Sequence, residues 1–269
     1  MKISSSDVNK LNLKEKKEIM SNPVLSEKIF RREAAASSTG VMTVKGTAMK
    51  ALVLVLMVLA GAAYTWKIFY ESINPASIQP WMWGGVIGGF IVAMIISFKP
   101  NLAQYLAPVY AVLEGLFLGA ISAMFNAAFA ESAPGIVMNA VLLTMMTAFV
   151  MFLLYRSRLI KVDQKFMRII TAAVGAVALY YFITIILSLF GVNLVMLHNS
   201  GPLSIGISLV IIGVAAFSLM MDFHFIEQAS AAGAPKHMEW YGAFGLMVTL
   251  IWLYLEILKL LAKFAGNRD

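Results

Sequence analysis

The chain reads as an all-α polytopic membrane protein, a bundle of seven transmembrane helices, on three observations. It is 60% hydrophobic and only 13% charged, whereas a soluble domain is about 45–50% apolar and about 25% charged. Seven apolar runs lie near 48–69, 82–98, 103–125, 135–155, 169–190, 203–221 and 240–264, each close to the roughly 20 residues that cross a bilayer. The basic residues fall between and before these runs, as loop charges of a membrane protein do.

Residues 1–46 are the one long polar stretch, a basic N-terminal segment expected in the cytosol, and residues 47–269 form the seven-span domain. Counting Lys50 at its edge, the N-terminal segment carries ten Lys/Arg against five acids. A cleavable signal would place its apolar core directly after the first charges. Here the first core begins near Ala48, so the segment is expected to be retained. Ser21-Asn22-Pro23 would open a short helix through Glu27 and Arg31, an i,i+4 pair in the favourable order. Each later run must be helical, because lipid cannot satisfy an open strand. The links between runs are short, so successive helices should be antiparallel neighbours.

Orientation follows from the Lys/Arg count. With the N-terminus in the cytosol, the inner side receives seventeen, including Lys99, Lys236 and the five of 156–168. The outer side receives four: Lys67, Lys259, Lys263 and Arg268. The positive-inside rule therefore sets the N-terminus inside and, with seven spans, the C-terminus outside. A re-entrant last run would instead put the tail inside.

Composition also removes function classes. The net charge of +7 is distributed as membrane topology requires, so its partner is anionic lipid headgroups and not nucleic acid. No cysteine is present, hence no disulfide or thiolate chemistry. The 18 Met residues read as flexible apolar filler, since no Met-x-x-Met cluster sits with a His at a span mouth. His198, His224 and His237 are dispersed and read as structural or solvated. No nucleotide-binding glycine motif, zinc spacing or Ser-His-Asp arrangement occurs, so no metal, cofactor or enzymatic activity is expected.

Small residues mark close helix contacts. Gly84, Gly85, Gly88 and Gly89 form two overlapping G-x-x-x-G pairs, and Gly115 with Gly119 forms another directly after Glu114. Such spacing leaves a groove where backbones approach.

Three acids stand inside or at the end of apolar runs. Glu256 lies within WYGAFGLMVTLIWLYLEILKLLAKF, where a charge costs about 2.5 kcal/mol or more to insert. Lys259, one turn on, is a candidate local partner for it. Glu114 is in the middle of LAPVYAVLEGLFLGAIS and Asp222 closes the sixth run in SLMMDFHFIEQ. Burial disfavours the charged form of a carboxyl, so a protonated, hydrogen-bonded Glu114 is one reading; Asp222 also reads as an interfacial residue.

The stretch Leu250–Leu261, with Leu253-Tyr254-Leu255-Glu256-Ile257-Leu258 at its centre, resembles the last span of the transmembrane Bax inhibitor motif family, whose pattern is close to LYLDIINLF. Phe217-Ser218-Leu219 followed by Asp222 looks like that family's sixth span. Asn22–Lys28 and Met238–Leu246 resemble a bacterial branch. The resemblance implies seven helices with the last one central, in the bacterial inner membrane. It also implies a pH-sensitive Ca²⁺ leak, with stress-response roles among relatives, gated by two acids that share a proton. Carried over, those acids are Asp222 and Glu256, which would also be the cation's transit points. The second is Glu where the family has Asp, and thirty-three residues separate the two. If the link between the last two helices is Ala229–Lys236, Glu256 lies about 20 residues into its helix and Asp222 only about 7 before the end of its own, a miss in depth of roughly 20 Å, which makes Glu114 an alternative partner for Glu256. Two carboxylates at hydrogen-bond distance titrate as a pair, and their oxygens suit Ca²⁺ in transit more than in storage, which takes six to eight ligands.

Two functions compete. One is the cation leak, moving Ca²⁺ or protons. The other is a non-transporting regulator that binds a membrane protein such as a quality-control protease, with the N-terminal segment as the contact. Intramembrane hydrolysis finds no paired-Asp motif to support it. The topology makes a direct prediction in this Cys-free chain: single cysteines at Ser5 and Lys161 stay unlabelled by an impermeant external thiol reagent in intact cells, and one at Arg268 is labelled.

Overall fold

The computed structural model describes residues 40–72, 75–190 and 201–266. The short helix expected around Glu27 and Arg31 lies outside them, as do Ser5 and Arg268. Seven helices follow in order: α1 (Val44–Glu71), α2 (Gln79–Phe98), α3 (Ala103–Ala128), α4 (Ile136–Arg156), α5 (Gln164–Leu189), α6 (Pro202–Ala231) and α7 (Met238–Ala265). All seven spans are long and apolar enough to cross a membrane, which makes the protein an integral membrane protein. Among the described residues the only β-type pairing is an isolated bridge, Val41 with Pro235.

Local chemistry sets the helix ends. Thr43 caps α1 by accepting from the Gly46 amide at 2.9 Å, and Asp163 caps α5 by accepting from the Phe166 amide at 2.7 Å. Pro202 occupies the first turn of α6, where its missing N–H costs nothing. At the other end of α6, Gly233 takes a left-handed conformation (φ 73°) and the Ala234 amide returns to the Ala229 carbonyl at 3.0 Å. That stop lies ten residues beyond the Met221 end of the apolar run and just past Ala229, where the link to the last helix is expected. Hydropathy misses it because Asp222, His224 and Glu227 sit on faces that find protein partners.

α7 is the central helix. Of its most apolar stretch 67% is buried, against 6% for α5. It packs on α6, α1, α4 and α3, and its Tyr241, Phe244 and Leu253 are fully buried. As one uninterrupted helix it is about 42 Å long, and so spans rather than re-enters. The lipid-facing rim is formed by side chains such as Phe90, Phe98 and Phe182, all well exposed. Exposed apolar rings are costly in water but ordinary against acyl chains.

The glycines divide by face. Gly115 and Gly119 pack on α1: the Gly115 side approaches Gly61, whose Cα is 3.1 Å from where a Cβ would stand, and Gly119 abuts Ala62. In α2 the pair Gly85 and Gly89 faces α3, Gly85 against its backbone and Gly89 against a side chain. A Cβ at Gly85 would meet the Leu113 carbonyl at 2.6 Å and one at Gly89 the Glu114 carboxylate at 2.8 Å, whereas Gly84 has nothing within 4 Å. Since rigid backbone lies opposite Gly115, Gly115→Leu is expected to cost about 1–3 kcal/mol by overpacking. Gly84→Leu should be neutral. Thermal unfolding of the two variants in detergent checks the contrast.

Candidate functional site

Three buried carboxylates tie α7 to three different parts of the bundle, at three depths. At its base, Glu239 is 0% exposed. It accepts from the Thr43 amide at 3.0 Å, the Thr43 hydroxyl at 2.9 Å and the Lys236 ammonium at 2.6 Å. Lys50 of α1 also donates to it, and stacks its ammonium 5.5 Å from the Trp240 ring. Gly46 makes room, because a Cβ there would collide with the Glu239 carboxylate. Backbone bonds complete the clamp: Met42 N–H to Ala234 O at 2.7 Å and Lys236 N–H to Gly40 O at 3.1 Å. The start of α1 and the α6–α7 link are thus held together by charge and backbone.

One helix further, Asp222 of α6 is 0% exposed and accepts from the Thr249 hydroxyl of α7 at 2.6 Å. Thr249 therefore marks the depth of Asp222 on α7. Glu256 lies seven residues on, or roughly 10 Å along the axis. The offset is about half the one expected, because α6 ends at Ala231 and α7 begins at Met238, which brings the two acids closer in depth than a link at Ala229–Lys236 would.

Glu256 is 2% exposed. The Tyr181 hydroxyl of α5 donates to its Oε1 at 2.7 Å and Lys259 to the same oxygen at 2.6 Å. Lys259 also reaches the Tyr181 oxygen at 3.0 Å and lies 4.8 Å from its ring centroid. One turn on, Lys263 donates to the Ser208 hydroxyl at 2.7 Å and the Ser204 carbonyl at 3.3 Å. Both lysines of the last run are thus engaged by protein groups, the i,i+3 partner of Glu256 among them.

Glu114 turns elsewhere. It pairs with the Tyr110 hydroxyl on its own helix and faces Gly89 of α2. Tyr110 stacks edge-on against Phe244 at 4.8 Å and Ser122 meets the Tyr254 hydroxyl at 2.6 Å, so α3 and α7 run parallel. In that register Glu114 stands level with Met247, roughly 13 Å short of Glu256, and at nearly the depth of Asp222.

The residues not legible in the chain were the partners. Glu239 was a signal available but weak, an acid three residues after Lys236 at the start of the last run. Tyr181 and Thr249 carried none, since hydroxyls in apolar runs are common. Among the described residues no group of three or more His, Cys, Asp or Glu is placed to hold a metal.

Seven spans packed around a central α7 that is held by buried carboxylates define a polytopic helical membrane protein with an acid-lined core. The family model for Bax inhibitor 1 like proteins matches residues 22–266, and the chain belongs to that family. Comparison with curated proteins and with solved structures finds no match.

The clamp at Glu239 predicts an asymmetry. Removing the one acid strands two ammonium groups, so Glu239→Ala should cost about 3–5 kcal/mol. The Lys236 side chain is 50% exposed, and Lys236→Gln should cost no more than about 1 kcal/mol. Unfolding midpoints of the two variants measure the difference.

Proposed function

We propose that the protein is a pH-sensitive cation leak, that α7 carries the conduction path, and that the state described here is its closed form. The observation that carries this reading is the Glu256–Lys259–Tyr181 cluster. A carboxylate buried to 2% exposure holds a tethered ammonium at 2.6 Å where a permeating cation would bind. A divalent ion needs oxygen ligands, and Glu256, with Asp222 roughly 10 Å along the helix, supplies carboxylates at two successive depths. Opening requires Lys259 to leave Glu256. Protonating either acid removes the charge a cation needs and the acceptor that ties α7 to its neighbour, and both effects make flux depend on pH.

A second reading rests on the clamp at the base of α7. Because residues 40–43 are bonded to 234–239, a membrane protein engaging the N-terminal segment would pull directly on α7. Under this reading the chain regulates a partner such as a quality-control protease, and Glu256 and Lys259 are a structural ion pair.

Ca²⁺ flux into liposomes loaded with a fluorescent indicator separates the two. For a leak, Glu256→Gln removes most of the pH dependence while the protein stays folded, and Lys259→Met raises flux several-fold at neutral pH. Thr249→Val, which deprives Asp222 of its donor, alters the pH dependence as well. If parent protein carries no flux above empty liposomes, with or without residues 1–39, the regulator reading replaces the leak.

A further inference from the structure

A cavity of ≈ 860 Å³ opens at the end of the bundle that bears the basic α4–α5 link. Its rim carries Arg156, Arg158 and Lys161, and its floor includes Phe152, Phe223 and Leu246. The helix ends fix its level. Arg156 is the last residue of α4 and Gln164 the first of α5, so the cations stand where spanning helices leave the apolar layer. We propose that this cavity binds an anionic phospholipid, with the phosphate held by Arg156, Arg158 and Lys161 and the glycerol and acyl ends laid on the apolar floor.

Three observations converge on that occupant. First, among the described residues none of the three cations forms an ion pair with a carboxylate. The nearest acid on the rim, Glu227, takes the Tyr155 hydroxyl instead. Second, Arg158 follows the α4 C-cap in a left-handed conformation (φ 55°), the one non-glycine positive φ among the described residues. That position normally belongs to glycine. Here an arginine occupies it and is held at the rim, its amide bonded to the Tyr155 carbonyl at 3.1 Å. A residue in a sparsely populated backbone region points to a role for its side chain. Third, the site is amphipathic along one axis, with cations above and aromatic and aliphatic carbons below. A free anion would use only the upper half. A basic pocket between spans at headgroup level is the chemistry that recognises an anionic lipid, and bidentate guanidinium geometry suits its phosphate. The proposal is independent of whether the protein conducts ions.

The test uses the full chain in detergent, titrated with dioctanoyl phosphatidylglycerol, dioctanoyl phosphatidylcholine or glycerol 3-phosphate, and reads the thermal unfolding midpoint. Phosphatidylglycerol is expected to raise the midpoint saturably, and the other two are expected to leave it unmoved. Arg158→Gly is the decisive variant, because glycine relaxes the left-handed backbone and keeps the fold. Without lipid it should unfold at or above the parent's temperature, yet need about five-fold more phosphatidylglycerol for half the shift. Arg156→Gln with Arg158→Gly and Lys161→Gln should abolish the shift, while Lys67→Gln, ion-paired to Glu71 at 3.8 Å away from the cavity, should not change it. Equal responses of the parent and Arg158→Gly overturn the proposal. So does a full shift with glycerol 3-phosphate, which would make the site one for free anions, or with phosphatidylcholine, which would remove the charge recognition. If the triple variant fails to fold, Arg158→Gly decides alone.

Discussion

A carboxylate inside a membrane protein has neither water nor lipid to hydrogen-bond, so its donors must come from the protein itself. That constraint organises this bundle. Glu239, Asp222 and Glu256 are all but fully buried, and each draws at least one donor across a helix boundary: the α1 cap Thr43 and Lys50 of α1, Thr249 from α7, Tyr181 from α5. Every one of these boundaries has α7 on one side. The central position of α7 is therefore secured by polar groups at its base and along its length, in a medium where apolar contact alone does not favour one neighbour over another.

Between those polar ties the packing is close and apolar. Gly115 and Gly119 bring α3 against α1 and Gly85 brings α2 against α3, with backbone facing backbone, while Gly89 makes room for the Glu114 side chain. α1, α2 and α3 thus form a tight block. α5 has little buried surface and meets α7 at the Tyr181 contact with Glu256 and Lys259. A motion of α5 relative to α7 therefore breaks few apolar contacts and one polar cluster. This is the mechanical basis for reading that cluster as the element that opens.

The distribution of charge has two components with different roles. Lys50, Lys236, Lys259 and Lys263 are spent on internal partners. Arg156, Arg158 and Lys161 line the mouth of a cavity and remain available to an outside anion. The excess of positive charge is thus partly structural, and the part at the cavity mouth is the part the proposed lipid site would use.

The class of fold was legible in the chain because it depends on composition and run length alone. Seven apolar stretches in lipid can only be helices, and G-x-x-x-G spacing marks which faces approach. The acids Glu114, Asp222 and Glu256 were legible for the same reason, since a carboxylate in an apolar run stands out. Their partners were not. Lys259 could be read as a partner for Glu256 because i,i+3 is a local relation. Tyr181, 75 residues away in sequence, and Thr249, 27 residues from Asp222, meet their acids only through the packing of separate helices. The helix α6 runs to Ala231, ten residues past the end of its apolar run, because Asp222, His224 and Glu227 look like a boundary by hydropathy while tertiary contacts let the helix continue. Residue chemistry by itself determined that the chain crosses the membrane seven times and that Asp222 and Glu256 are buried, but not that Glu239 is. Which donor reaches each buried charge, and at what depth, was decided by rotation and register of whole helices, quantities that no local pattern encodes.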